Sequence, residues 1–115
     1  MKKVFYIAQC STCQRILNEV NWKGQLQEIR TEKISAEQLD QMAKMSGSYE
    51  SLFSRRALKY KSMGLKNKTL SETDYRQLIL EEDTFLKRPV FIVNNKIFIG
   101  NSKKTIEALS SALNE

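Results

Sequence analysis

Residues 3–20, Lys3-Val4-Phe5-Tyr6-Ile7-Ala8-Gln9-Cys10-Ser11-Thr12-Cys13-Gln14-Arg15-Ile16-Leu17-Asn18-Glu19-Val20, carry the signal that decides the fold. Residues 3–8 are a short apolar run rich in β-branched and aromatic side chains, which predicts a buried strand. Beyond the cysteines, Ile16, Leu17 and Val20 fall on one helical face. Ser11 followed three residues later by Gln14 matches a capping box, which predicts a helix starting within residues 10–13. A strand therefore stops, turns through Cys10 and hands over to a helix.

Cys10 and Cys13 are the only two cysteines in the chain. A cysteine at a helix N-terminus faces unpaired backbone N–H groups and the positive end of the macrodipole, both of which favour thiolate. Residues three apart are neighbours on a helical face and lie within reach of a disulfide. Cys10, outside the helix, is the candidate nucleophile. Cys13, shielded inside the first turn, is the candidate resolving thiol. Two other readings compete: half of a zinc site, or two ordinary core cysteines. A structural zinc needs four ligands, and the chain has no histidine and no second cysteine pair. Unrelated core cysteines rarely fall two residues apart at a strand-to-helix junction. The redox reading is preferred, and no metal is expected.

Composition sets the outer bounds. At 115 residues one domain, spanning 1–115, is expected with a single modest core. Hydrophobic content of 41% with 28% charged residues fits a globular chain rather than a disordered one. No apolar run approaches the length of a membrane span, and Met1-Lys2-Lys3 leads into a strand-like run rather than an export signal. The thiols are therefore expected in a reducing cytoplasm, where paired cysteines are more often catalytic than structural. The net charge of +6 is scattered and singles out no polyanionic partner. The denser basic stretch Arg55, Arg56, Lys59, Lys61, Lys66 and Lys68 is interleaved only with Tyr60, so direct nucleic-acid binding is not expected. A monomer without membrane association is the expectation.

Residues 21–24 read as a turn, and residues 25–30 as a second strand with polar–apolar alternation at its start. Ser35 with Gln38 forms another capping box, opening a helix with Leu39, Met42 and Ala43 on its stripe that ends near Ser46-Gly47. The methionine there is read as core filling. Residues 48–82 are expected to be entirely helical, with Gly64 at a C′ position and Ser71 with Asp74 opening a later helix. Residues 90–93 and 96–99 predict a hairpin whose Asn94-Asn95 loop tolerates the positive φ of a type I′ turn. Ser102 then caps a last helix bearing Ile106, Leu109 and Leu113. The outcome is a small four-stranded α/β sandwich with a parallel crossover, an antiparallel pair and helices inserted at about residues 35–84. Pro89, the single proline, suits the first position of the third strand because it donates no ladder hydrogen bond. An isolated X–Pro bond is ordinarily trans; the order of elements is what admits a cis bond here.

With these residues in view, the whole chain resembles the arsenate-reductase-like family of the thioredoxin-fold superfamily. That family takes in glutaredoxin-coupled arsenate reductases, Spx-type transcriptional regulators and small CxxC proteins. The resemblance rests on Cys10-Ser11-Thr12-Cys13-Gln14-Arg15, Leu52-Phe53-Ser54-Arg55-Arg56, Leu86-Lys87-Arg88-Pro89 and Ile99-Gly100. It implies a thioredoxin-like four-stranded mixed sheet flanked by helices, a helical insertion between strands two and three, and a cis Pro89 facing the cysteines in a substrate groove. Arsenate reductases of this kind use one cysteine and three arginines around the oxyanion, the second thiol coming from glutathione. Arg88 matches one arginine. The second falls nearer Ser54, whereas Arg56 fits the Spx-type and CxxC members, and the third falls at or near the uncharged Gly100. A tetrahedral anion loses much of its grip when one charged fork is missing.

The expected function is a cytoplasmic thiol–disulfide redox protein with Cys10 as nucleophile and Cys13 as resolving thiol. Arg56 and Arg88 are the candidates for stabilising an anion or thiolate, and Arg15 is a weaker one on the motif helix. No resident cofactor is expected; glutathione or another thiol is the candidate co-substrate, and a thiol or disulfide substrate or redox protein the partner. Two alternatives stand beside this reading. One is arsenate reduction with an external thiol donor. The other is an Spx-type redox-sensing regulator that binds RNA polymerase, against which the chain stops soon after its last helix.

Overall fold

The computed structural model describes residues 1–115. In chain order the elements are β1 (Lys2–Tyr6), α1 (Ser11–Glu19), β2 (Gln25–Glu28), α2 (Ala36–Ser46), α3 (Leu58–Ser62), α4 (Glu72–Glu81), β3 (Val90–Val93), β4 (Lys96–Ile99) and α5 (Lys103–Leu113). Three short 3₁₀ turns, Glu50–Leu52, Leu65–Asn67 and Asp83–Phe85, join them. The chain divides into two compact units. One is Met1–Lys33 with Arg88–Glu115, and the other is Ile34–Lys87. No helix is long and apolar enough to cross a membrane.

The first unit holds the whole sheet, in the order β2-β1-β3-β4. β1 pairs parallel with β2 and antiparallel with β3, and β3 pairs antiparallel with β4. This is the mixed four-stranded sheet the sequence predicts. Val4 lies opposite both Leu26 and Phe91. Because strand side chains alternate, Val4, Phe91 and Val93 share one face, and there they pack with Ile16 of α1 and with Leu109 and Ala112 of α5. Trp22 closes this cluster edge-on against Phe91, ring centroids 5.0 Å apart. The helix stripes read from periodicity are thus the faces that bury.

β2 departs from the expectation in length and phase. It stops at Glu28 rather than at Arg30, because the Glu28 carbonyl accepts from the Thr31 and Glu32 N–H groups and curls the chain away. Leu26 is 56% exposed on this edge strand while Gln27 is buried, its Nε2 donating to the Glu32 carbonyl at 3.0 Å. The hairpin loop is also not type I′: of its two asparagines only Asn94 has a positive φ, 56°. The Arg88–Pro89 bond is cis, directly ahead of β3.

In the second unit, α2 and α4 carry the two capping boxes foreseen, Ser35 with Gln38 and Ser71 with Asp74. Gly47 (φ 101°) ends α2, and Gly64 (φ 67°) follows α3 in the left-handed conformation that costs glycine least. Met42 is fully buried, as core filling requires. Residues 48–82 are not entirely helical, however. Phe53 forms an extended bridge with Leu86, supported by Ser54 N–H to Phe85 O (2.7 Å) and Lys87 N–H to Leu52 O (2.8 Å). Burial of one aromatic ring overrides local helix propensity there: Phe53 stacks on Phe85 at 5.0 Å and tilts against Tyr75 at 4.9 Å.

Gly24, in the turn before β2, has no room for a side chain. A Cβ there would stand 2.5 Å from Trp22 Cζ2 and 2.6 Å from the Lys2 carbonyl oxygen. Gly24→Ala is expected to lower stability by ~1–3 kcal/mol, the usual cost of overpacking, in denaturant unfolding followed by the fluorescence of Trp22, the single tryptophan. An unchanged midpoint would show that the turn yields freely.

Candidate active site

The site begins with how α1 starts. Cys10 is its N-cap, with extended φ −82° and ψ 110°, and its carbonyl accepts the first helical hydrogen bond, from Gln14 N–H at 3.1 Å. The Ser11–Gln14 capping box expected from the sequence does not form. Ser11 is already the first helical residue, one position too late to cap, and the Gln14 side chain turns back so that Nε2 donates to the Ala8 carbonyl at 3.1 Å. The two-residue spacing then has a definite consequence. An N-cap side chain faces the N–H groups two and three residues on, and those belong to Thr12 and Cys13. No full-strength side-chain cap bond closes, yet both amides bear on the Cys10 sulfur and favour its thiolate.

Cys10 and Cys13 are both free cysteines and come within 3.4 Å of each other. Their environments push them in opposite directions. Cys10 is partly exposed; burial raises its pKa, but the N–H of Cys13, the Cys13 thiol, the Arg88 charge and the Thr12 N–H together outweigh that and hold it below the ordinary value. Cys13 has no exposed surface, and burial pushes it up to about 11. The Ile7 N–H opposes that rise, the neighbouring Cys10 adds to it, and Arg88 opposes it more weakly. One thiol is prepared to ionise and its neighbour to keep its proton.

Arg88 is therefore placed with the pair. Its charge acts on both sulfurs, and its Nη1 is buried with no hydrogen-bond partner. Pro89 beside it is buried, and its carbonyl accepts from Gly100 N–H at 2.9 Å. Arg15 lies on the exposed face of α1, ion-paired with Glu19 at 3.3 Å. Those two line a shallow groove of about 260 Å³ with Asn101, Lys103, Ile106 and Glu107. Arg56 belongs to the second unit, exposed between Phe53 and α3, with its backbone N–H on Ser54 Oγ at 3.3 Å. No three His, Cys, Asp or Glu side chains converge where a metal ion would sit. Glu28 was not foreseen: from the end of β2 its carboxylate accepts from Ala8 N–H at 2.6 Å. Nothing in an isolated glutamate at a strand end signals that reach.

The model of the ArsC family matches residues 5–109. Comparison with curated proteins finds no match. Among solved structures, the chain is similar to a protein described as YFFB, with a TM-score of 0.82 and 19% identity over 98% of this chain and 99% of that one. It is similar to a candidate ArsC-family-related protein from Bacteroides fragilis (TM-score 0.78, 24% identity, 94% and 96% covered). An arsenate reductase from Vibrio cholerae matches with a TM-score of 0.76 and 16% identity, 94% of each chain being covered. At these identities the structures speak for the fold alone, but the family model takes in both cysteines, Arg88, Pro89 and all four strands from Phe5 onward, and by that match the chain belongs to the ArsC family.

Proposed function

We propose that this protein is a thiol–disulfide redox protein in which Cys10 attacks and Cys13 resolves. Membership of the ArsC family supports a thiol-redox or arsenate-reductase-like role. The observation that carries the finer reading is the opposed preparation of the thiols of two cysteines that come within 3.4 Å of each other. The Cys10 thiolate attacks one sulfur of a substrate disulfide, forming a mixed disulfide and expelling the other sulfur as a thiolate that takes a proton from water. Cys13 then loses its proton to solvent and attacks the Cys10 sulfur, releasing the second substrate sulfur. The substrate gains two electrons, and the protein keeps a disulfide between Cys10 and Cys13. A thiol such as glutathione, or a partner dithiol, returns those electrons by the same exchange in reverse.

Burial is the main reason Cys13 keeps its proton, and the neighbouring Cys10 thiolate adds its repulsion to that. Once Cys10 is tied in a mixed disulfide, that repulsion is gone while the Arg88 charge remains. The same arginine thus serves attack first and resolution second. With a pKa of about 11, Cys13 is a thiolate in only roughly 10⁻⁴ of molecules near pH 7, so Cys10 is the sulfur that meets substrate.

A second reading is arsenate reduction, favoured by the unpartnered Arg88 Nη1 beside the Cys10 thiolate. A buried guanidinium donor without a partner costs free energy that an oxyanion would recover.

Three outcomes test these readings. Cys10→Ser is expected to abolish disulfide reduction, and Cys13→Ser to accumulate the mixed disulfide by mass; equal turnover by both would end the assignment. Iodoacetamide at neutral pH is expected to modify Cys10 with a titration midpoint below that of an unperturbed cysteine peptide, leaving Cys13 unlabelled until strongly alkaline pH. In steady-state assays with glutathione as donor, arsenate turnover no higher than that of Cys10→Ser would remove the second reading.

A further inference from the structure

Ala8 stands two residues before Cys10, and side chains from two other positions hold both of its backbone polar groups. Its N–H donates to Glu28 Oε2 at 2.6 Å, and its carbonyl accepts from Gln14 Nε2 at 3.1 Å. The other Glu28 oxygen accepts from the N–H groups of Arg30 (2.6 Å) and Thr31 (3.0 Å). Arg30 Nη1 in turn donates to Gln9 Oε1 at 3.3 Å. Within the turn, Cys10 N–H donates to the Ile7 carbonyl at 3.1 Å. Ala8 and Gln9 are exposed, so burial does not hold this turn. Hydrogen bonds from β2 and α1 do.

We propose that Glu28 and Gln14 are positioning residues for Cys10, clamping the turn at Ala8 so that the sulfur stays over the amides that open α1. The proposal rests on the reading of Cys10 as a reactive thiolate. Neither side chain is among the groups that act directly on that sulfur, which are the Cys13 thiol, the Arg88 charge and the amides of Thr12 and Cys13. Hydrogen bonds weaken steeply with misalignment, so a turn released at Ala8 lets the sulfur drift from those amides and lose what they contribute. Charge and positioning predict opposite signs for Glu28. A carboxylate near a thiolate disfavours it, so removing the charge alone would make Cys10 more acidic, whereas releasing the turn makes it less so.

The test is the rate of Cys10 alkylation against pH on the full reduced chain, followed by mass and peptide mapping. It compares the unmodified protein with Glu28→Ala, Gln14→Ala and Ser102→Ala, the last removing the N-cap of α5 as a stability control. In Glu28→Ala and Gln14→Ala the titration midpoint is expected to move to higher pH. The rate below that midpoint should fall about threefold for every half pH that the midpoint rises. Ser102→Ala is expected to keep the original midpoint. An unchanged or lowered midpoint in Glu28→Ala overturns the proposal, and so does an equal rise in Ser102→Ala. An unperturbed midpoint in the unmodified protein removes the thiolate reading and this proposal with it. Should Glu28→Ala fail to fold, two measurements still decide: the uncharged Gln14→Ala change, and amide hydrogen exchange at Ala8 in the unmodified chain. There protection is expected, and exchange at the rate of a free peptide overturns the clamp.

Discussion

The site depends on one constraint: the N–H groups at the start of α1 have no helical partner and must find an acceptor elsewhere. In most helices a serine, threonine or aspartate oxygen answers that need. Here the N-cap position is occupied by Cys10, so the acceptor on offer is a sulfur. The backbone satisfies part of its own deficit by making that sulfur more acidic. No histidine or carboxylate is among the groups that hold Cys10 below its ordinary pKa. The spacing of the pair follows from the same geometry. A residue three positions after the N-cap supplies one of the amides that face the cap side chain, and in this chain it is Cys13. The partner that stabilises the thiolate through its backbone is therefore also the thiol that can resolve it.

The asymmetry of the two sulfurs then comes from packing. Cys13 and Ile16 follow each other on the inner face of α1, and both have no exposed surface. Ile16 joins Val4, Phe91 and Val93 of the sheet, so the contact that seats the helix also buries the second thiol. Burial of that kind raises a thiol pKa while leaving the N-cap residue at the edge of solvent. Arg88, arriving at the start of β3 beside the cis Pro89, brings a charge from the far end of the chain to both sulfurs. Antiparallel pairing of β3 with β1 is what makes that arrival possible.

The fold was legible where signals were local. The apolar run of residues 3–8, the boxes at Ser35 and Ser71, the helix-ending Gly47 and Gly64, and the place, though not the turn type, of the Asn94-Asn95 hairpin each depend on a few neighbouring residues. Three readings went astray where longer-range contacts outvoted such patterns. Ser11 and Gln14 have capping-box spacing, yet the chain starts its helix one residue earlier and spends Gln14 on Ala8. Leu26, although opposite Val4 on the face that packs against α1 and α5, is left exposed because β2 is the edge strand of the sheet. Phe53 leaves the helical block because three aromatic rings converge on it.

By itself, then, the sequence determined the order of elements, the place of the cysteine pair at a strand-to-helix junction, and the family signature that runs with it. Each of these is read from short stretches of neighbouring residues, the signature from four of them spread over residues 10–100. Only the tertiary structure decided which side chains meet that pair. Arg88 comes to the thiols while Arg15, two residues after Cys13, turns to solvent and Glu19. Glu28, twenty positions from Ala8, reaches its amide because β1 and β2 run parallel and end side by side. Distance along the chain says nothing about such meetings. They are fixed by which strands pair and in what register, which no local pattern encodes.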